Sequence, residues 1–239
     1  MDTFTPLATP FGMTESDRAR EIMIRLNPKG SVQREQTAVE QVCRKPFRSL
    51  VGAMLSARTR EEDTRDGLNH LFTLADTPEK MQLLTYEQVL EAIRCVTYPE
   101  PKANYVLGLS RMLVEKGGEV PQTVAELTEL PGVGWKSAVL TLWMAYGIAE
   151  EICVDVHVGR IGQRLGFVNP TTKQPEKISK ELMAVIPKEL WGPWNPTMVS
   201  FGRSTCYPML PACPRCPLND ICPKIGVTKM TTRNTILGD

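Results

Sequence analysis

Leu130-Pro131-Gly132-Val133-Gly134-Trp135-Lys136-Ser137-Ala138 opens an apolar helix, and Val154-Asp155-Val156-His157 follows one helix length later. The Pro-Gly-Val-Gly run turns the chain tightly, because glycine tolerates positive φ, and it leaves backbone N–H groups unpaired at the start of the next helix. Such a helix start is a seat for a phosphate. Strand-like alternation is nearly absent along the rest of the chain, so the hairpin sits in an all-α protein.

Lys136 falls in the first turn of that helix, where the positive end of the macrodipole works against a second positive charge and favours the neutral, nucleophilic amine. Asp155 lies between Ile152, Cys153, Val154 and Val156, Val158. That is a mostly apolar setting in which a carboxylate's protonation and pairing are tunable. A phosphate seat, an amine and a carboxylate together make a candidate active site. Each also has a bland reading: a solvated or phosphate-pairing lysine, a helix-capping aspartate, a plain helix–helix corner. The combination in one short stretch favours the chemical reading.

Working outward, apolar residues recur at helical spacing at Phe47, Leu50, Val51, Met54 and Leu55, and again at Tyr105, Val106, Leu109, Met112 and Leu113. Both stripes read as core. Thr85-x-x-Gln88 and Thr123-x-x-Glu126 are capping-box patterns, and Thr77 precedes Pro78 as an N-cap before a first-turn proline. Pro28, Gly117 and Gly147 read as stops.

Near the C-terminal end, Cys206, Cys213, Cys216 and Cys222 are spaced C-x6-C-x2-C-x5-C among Pro208, Pro211, Pro214 and Pro217. Structural zinc usually brings two tight C-x2-C-like pairs, whereas iron–sulfur clusters are held by cysteines with one tight pair and longer arms. The spacing therefore favours a [4Fe–4S] cluster over zinc, and either metal over disulfides. Cys43, Cys95 and Cys153 stand alone among apolar neighbours and read as buried core thiols. The first residues carry Asp2, Pro6 and Pro10 and no charged, then apolar, leader, which points to a reducing, intracellular setting. The formal net charge of +1 gives no global sign of a polyanionic partner. The cluster region onward is nevertheless locally basic, with Arg203, Arg215, Lys224, Lys229 and Arg233 against Asp220 and Asp239.

The hairpin with Lys136, the Val154-Asp155-x-His157 run and the four cysteines together resemble the endonuclease III family of helix-hairpin-helix DNA glycosylases. Pro46-Phe47 leading into Met54-Leu55-Ser56-Ala57, Gly118-Glu119-Val120-Pro121 and Phe201-Gly202-Arg203 extend the likeness over about residues 17 to 225. The resemblance implies a two-domain helical glycosylase fold: a six-helix domain over 42–147 and a cluster domain made of 17–41 with 148–227, flanked by mobile tails at 1–16 and 228–239. It implies base excision repair on double-stranded DNA carrying damaged bases or abasic sites, by a monomer in the cytoplasm or nucleoid.

In that scheme Lys136 attacks the sugar of a flipped-out nucleotide, Asp155 supports the charge and the proton, and β-elimination nicks the strand. A lysine here is similar to the bifunctional glycosylase/lyase members, and with the cysteine cluster it implies oxidised pyrimidines of the thymine glycol type. Gly132, Gly134, Trp135 and His157 are implied DNA-side residues, His157 chiefly as a support for Asp155. The chain departs from the family at two gap-filling positions: Arg58 stands where a glutamine is usual, and Thr97-Tyr98-Pro99-Glu100-Pro101 replaces a leucine-bearing loop. Both Arg58 and Tyr98 can stack on bases. The alternative is a DNA-binding or AP-lyase-only protein whose altered loops weaken base excision. Trp191-Gly192-Pro193-Trp194-Asn195-Pro196 has no functional reading.

Overall fold

The structure is a computed structural model, and it describes residues 12–27 and 45–232. Among these the chain is helical throughout, with no strand. The helices are α1 (Glu15–Leu26), α2 (Pro46–Leu55), α3 (Glu61–Leu74), α4 (Pro78–Met81), α5 (Tyr86–Ala92), α6 (Pro99–Glu115), α7 (Val124–Thr128), α8 (Trp135–Tyr146), α9 (Val156–Arg164), α10 (Pro175–Val185) and α11 (Trp191–Ser204). Single 3-10 turns occupy Lys188–Leu190 and Cys213–Arg215. No helix among the described residues is long and apolar enough to cross a membrane. The chain divides into two compact units, Gln33–Glu150 and Met1–Val32 with Glu151–Asp239.

The continuous unit is built around α2, which is largely apolar and buries every residue from Ser49 to Leu55. It packs against α8, and Phe47, Leu50, Met54, Leu68, Leu109 and Leu142 form one core with the neighbouring helices. Each fully buried leucine there contributes roughly 1.5–3 kcal/mol. The ends are set locally. Thr85 and Gln88 make a reciprocal capping box at α5, and the Thr77 hydroxyl accepts from the Lys80 amide at α4. At α7 the Thr123 hydroxyl accepts from the Glu126 amide but donates to the Glu126 carboxylate, so this box closes between side chains. Gly147, at φ +68°, ends α8 in the left-handed conformation that glycine adopts without strain.

Two residues of this unit differ from expectation. Cys95 is exposed, not buried, because it follows the last turn of α5 and its thiol reaches out to the Asp63 carbonyl. Tyr105 belongs to the apolar stripe of α6 but is 41% exposed. It lies under the hairpin instead of in the core. Cys43, the stop at Pro28 and Arg233 fall outside the described residues.

In the unit that contains both chain ends, α1 buries Ala19, Ile22 and Met23 and contacts α10 and α11. Arg18 is buried with them: it stacks 4.3 Å over the Phe167 ring, pairs with Glu15 and donates to the Ile221 carbonyl. The Trp191–Pro196 stretch is structural. It forms the first turns of α11, with Trp194 fully buried 6.1 Å from Phe167. The Trp191 indole caps the Ile186 carbonyl and the Asn195 amide holds the Cys153 carbonyl. Cys153 is a buried core thiol, as expected. The chain returns to the cysteine loop through a bond from the Thr231 amide to the Pro211 carbonyl.

Candidate active site

The hairpin begins at the end of α7, where the Val133 amide bonds back to the Leu130 carbonyl. Gly132 sits at φ +76°, while Gly134 is extended at φ −88° and serves as the N-cap of α8. Only Gly132 therefore uses glycine's positive-φ freedom. A Cβ at Gly132 would fall 2.5 Å from the Tyr105 ring, so the turn is seated directly on that aromatic. Pro131 packs one turn further along α6, on Gly108.

Gly134 has no side chain to cap α8, and the helix's first amide groups face out at the turn. Lys136, in the first turn, is exposed. Among the described residues its amine has no hydrogen-bond or ion-pair partner, so it is available to a ligand. Trp135 beside it is half-buried. Ser137 faces inward instead and donates to the Ala53 carbonyl of α2, which fixes the rotation of α8.

Arg58 and Tyr98 are exposed at the two turns that flank α2 and α6. Both are left-handed at φ +57°. For non-glycine residues this costs on the order of 1–2 kcal/mol apiece, so the surrounding contacts must hold them there. Those contacts converge on Lys102, a residue the sequence reading missed. It is 6% exposed, and its Nζ donates to the carbonyls of Leu55 (2.7 Å) and Ala57 (2.8 Å) and to the Thr59 hydroxyl (2.8 Å). Burial pushes its pKa down to about 8. The available signal was its register: Lys102 lies four residues before Val106, on the buried stripe of α6.

In the other unit, Asp155 is the N-cap of α9. Its Oδ1 accepts from the amides of both His157 and Val158, each at 2.9 Å. Ile152, Cys153 and Val154 before it are buried, whereas Val156 is 75% exposed. The carboxylate is thus half-buried, anchored through one oxygen and set at the rim of an apolar patch. The His157 ring lies against Gly202, where a Cβ would fall 2.3 Å from Nδ1; this close approach accounts for the glycine of Phe201-Gly202-Arg203. Arg160 reaches the same Nδ1 at 3.2 Å. An arginine only donates, so Nδ1 is the acceptor and the neutral ring carries its proton on Nε2.

The four cysteines line one pocket, open in part to solvent, together with Ile161, Leu165 and Phe201. All are free thiols, and no three metal-ligating side chains among the described residues gather tightly enough for a single ion. Four thiols lining one pocket are a donor set of the kind that thiolate-held metal centres use. Burial, and then the neighbouring sulfurs, push the Cys216 thiol up to about 11. Burial raises Cys213 and Cys222 as well. A positively charged group is what would allow the four to ionise together.

Two arginines absent from the sequence reading fasten this loop. Arg164 donates to the Cys206 sulfur at 3.1 Å, to the Tyr207 carbonyl and to the Pro208 carbonyl. Arg160 donates to the Cys206 carbonyl. Their i, i+4 spacing on α9 puts them on one face, and Asp155 caps that same helix. Asp220, the acid of this loop, is paired with Arg25 of α1.

The chain is similar to known proteins. A family model described as HhH-GPD superfamily base excision DNA repair protein matches residues 51–188. Endonuclease III of Thermotoga maritima is 40% identical over 74% of this chain and 82% of its own length. A chloroplastic endonuclease III homologue of Arabidopsis thaliana is 36% identical over 74% of this chain and 48% of its own. Among solved structures, a trapped covalent intermediate of endonuclease III with DNA, an estranged-adenine complex, superimposes with a TM-score of 0.76 at 32% identity, over 89% of this chain and 97% of that one.

Proposed function

Because the chain belongs to the HhH-GPD superfamily of base excision DNA repair proteins, we propose that it is a bifunctional DNA glycosylase and AP lyase for oxidised pyrimidines of the thymine glycol type. The observation that carries this reading is Lys136: an exposed, unengaged amine one residue past the N-terminal end of α8, beside a glycine turn able to hold a phosphate. The similar endonuclease III trapped covalently on DNA supports an enzyme-borne nucleophile.

In this mechanism the lesion is rotated out of the duplex, since its glycosidic carbon is unreachable while stacked. The Lys136 amine forms a bond to the sugar C1′ as the bond to the base breaks, and the base leaves with the electron pair. Opening of the sugar gives a Schiff base. Asp155 opposes the positive charge that grows on the sugar and receives the proton that the lysine loses. Its anchored Oδ1 leaves Oδ2 for that work. Loss of a C2′ proton then expels the 3′ phosphate and nicks the strand.

Arg58 and Tyr98 fill the space left by the flipped nucleotide. Cys206, Cys213, Cys216 and Cys222 hold a [4Fe–4S] cluster, whose contribution is to fix the shape of a basic loop against the phosphates. In this reading the chain works as a monomer, with a six-helix domain over 42–147 and a cluster domain made of 17–41 with 148–227.

Borohydride trapping on duplex DNA with a single thymine glycol tests the proposal, with Lys136→Gln and an abasic duplex as controls. The expected result is a covalent adduct and free base from the native chain alone. Trapping at the abasic site only would replace the glycosylase by an AP lyase, and the absence of trapping on both DNAs would leave a DNA-binding protein.

A further inference from the structure

An ammonium group has three protons, and Lys102 places all three on acceptors while remaining buried. It is therefore not a second nucleophile. Its acceptors have a common feature: they bracket Arg58. The Ala57 carbonyl lies immediately before that residue and the Thr59 hydroxyl immediately after it, and the Leu55 carbonyl closes the end of α2.

The Thr59 hydroxyl oxygen also accepts from the Thr97 amide at 3.3 Å. Thr97 is the residue before Tyr98, and Pro99 to Lys102 form the first turn of α6 after it. One oxygen and one ammonium thus join the two turns that carry the chain's left-handed Arg58 and Tyr98. The side chains of those two residues have no partner among the described residues, so their positions depend on the backbone beneath them.

We propose that Lys102 is a positioning residue that locks the Arg58 and Tyr98 turns into one rigid unit, so that guanidinium and phenol enter the gap of an opened duplex as a pair. The proposal rests on the reading of this chain as a base-flipping enzyme. It assigns to Lys102 the duplex-specific part of the reaction and leaves the chemistry of Lys136 untouched. A single-stranded abasic substrate has no partner strand to separate and no gap to fill, so it should not need the lock.

The test compares native chain, Lys102→Met and Thr59→Val. Expected for Lys102→Met is a loss of roughly ten- to a hundred-fold in kcat/KM on duplex thymine glycol, the scale of a misplacement by about an ångström. Trapping on a single-stranded abasic oligonucleotide should stay within about two-fold of native. Amide hydrogen exchange should speed up at both turns together. Thr59→Val keeps the ammonium and removes the shared oxygen; it should shift all three readouts the same way by less, and it decides the matter if Lys102→Met does not fold. Equal losses on both substrates, unchanged duplex activity, or loosening of one turn alone would overturn the proposal. If the native chain acts on no DNA, the proposed function falls and exchange at the two turns still decides whether Lys102 couples them.

Discussion

The Tyr105 ring occupies the space that a side chain on Gly132 would need, 2.5 Å from where the first carbon would stand. The residue is also at φ +76°. Gly132→Ala therefore meets two separate penalties, about 1 kcal/mol or more from the left-handed backbone and roughly 1–3 kcal/mol from overpacking. Urea unfolding should show that loss, and DNA affinity should fall with it. Adding Tyr105→Ala should recover the packing share and leave the backbone share.

Asp155 is a helix cap as well as a candidate catalytic group, and the two roles separate by substitution. Asparagine caps a helix about as well as aspartate, whereas alanine typically costs about 1 kcal/mol. Asp155→Asn should keep native stability and lose most base excision; Asp155→Ala should lose both. Thermal melts run beside single-turnover kinetics distinguish these outcomes.

Arg164 gives a charged donor to Cys206 and two more to the carbonyls that follow it. Arg164→Gln should loosen that loop, and iron and sulfide per chain should fall after gel filtration. Stripping the proposed cluster should unfold the unit that holds Cys206 to Cys222 while the core around α2 persists. Proteolysis that cuts first within 33–150 would contradict this.

Lys102 titrates near 8 in the folded chain against an ordinary 10.5. Between those values the unfolded chain holds a proton that the folded chain has lost, so raising the pH through this window favours folding. Below about pH 8 both forms are protonated and the burial cost stands in full, on the order of 3 kcal/mol. Urea midpoints of the native chain should thus climb between pH 8 and 10 relative to those of Lys102→Met. A flat difference would mean that the buried amine does not titrate there.

The parts of the molecule visible in the sequence are those fixed by near neighbours. The caps at Thr77, Thr85 and Thr123, the stop at Gly147 and the turn at Gly132 depend on residues within a few positions, and each is in place. The buried stripe of α2 was legible because, apart from Arg48 and Ser49, the helix is apolar. Lys102 was not, because its acceptors are backbone oxygens and a hydroxyl 43 to 47 residues earlier. Arg164 binds to a loop more than 40 residues later, and neither partner has a residue signature. Tyr105 shows the opposite failure: periodicity assigned it to the core, but the hairpin that covers it is remote in sequence. Cys95 misled for a simpler reason, since apolar neighbours at a helix end do not fix which way the residue between them points.

The apolar face of α1 has its partners at the other end of the chain: Arg18 bonds to Ile221, 203 residues on, and Ser16 to Val185. The unit of residues 33–150 has no such wait, being continuous. On a ribosome adding about 5–20 residues per second, Ala19, Ile22 and Met23 would emerge before their partners and stay uncovered for on the order of ten seconds or longer, while the core around α2 could already close. The order of synthesis thus makes the first helix the last to dock, and this short segment is where a nascent chain would be open to a chaperone or to a neighbouring copy.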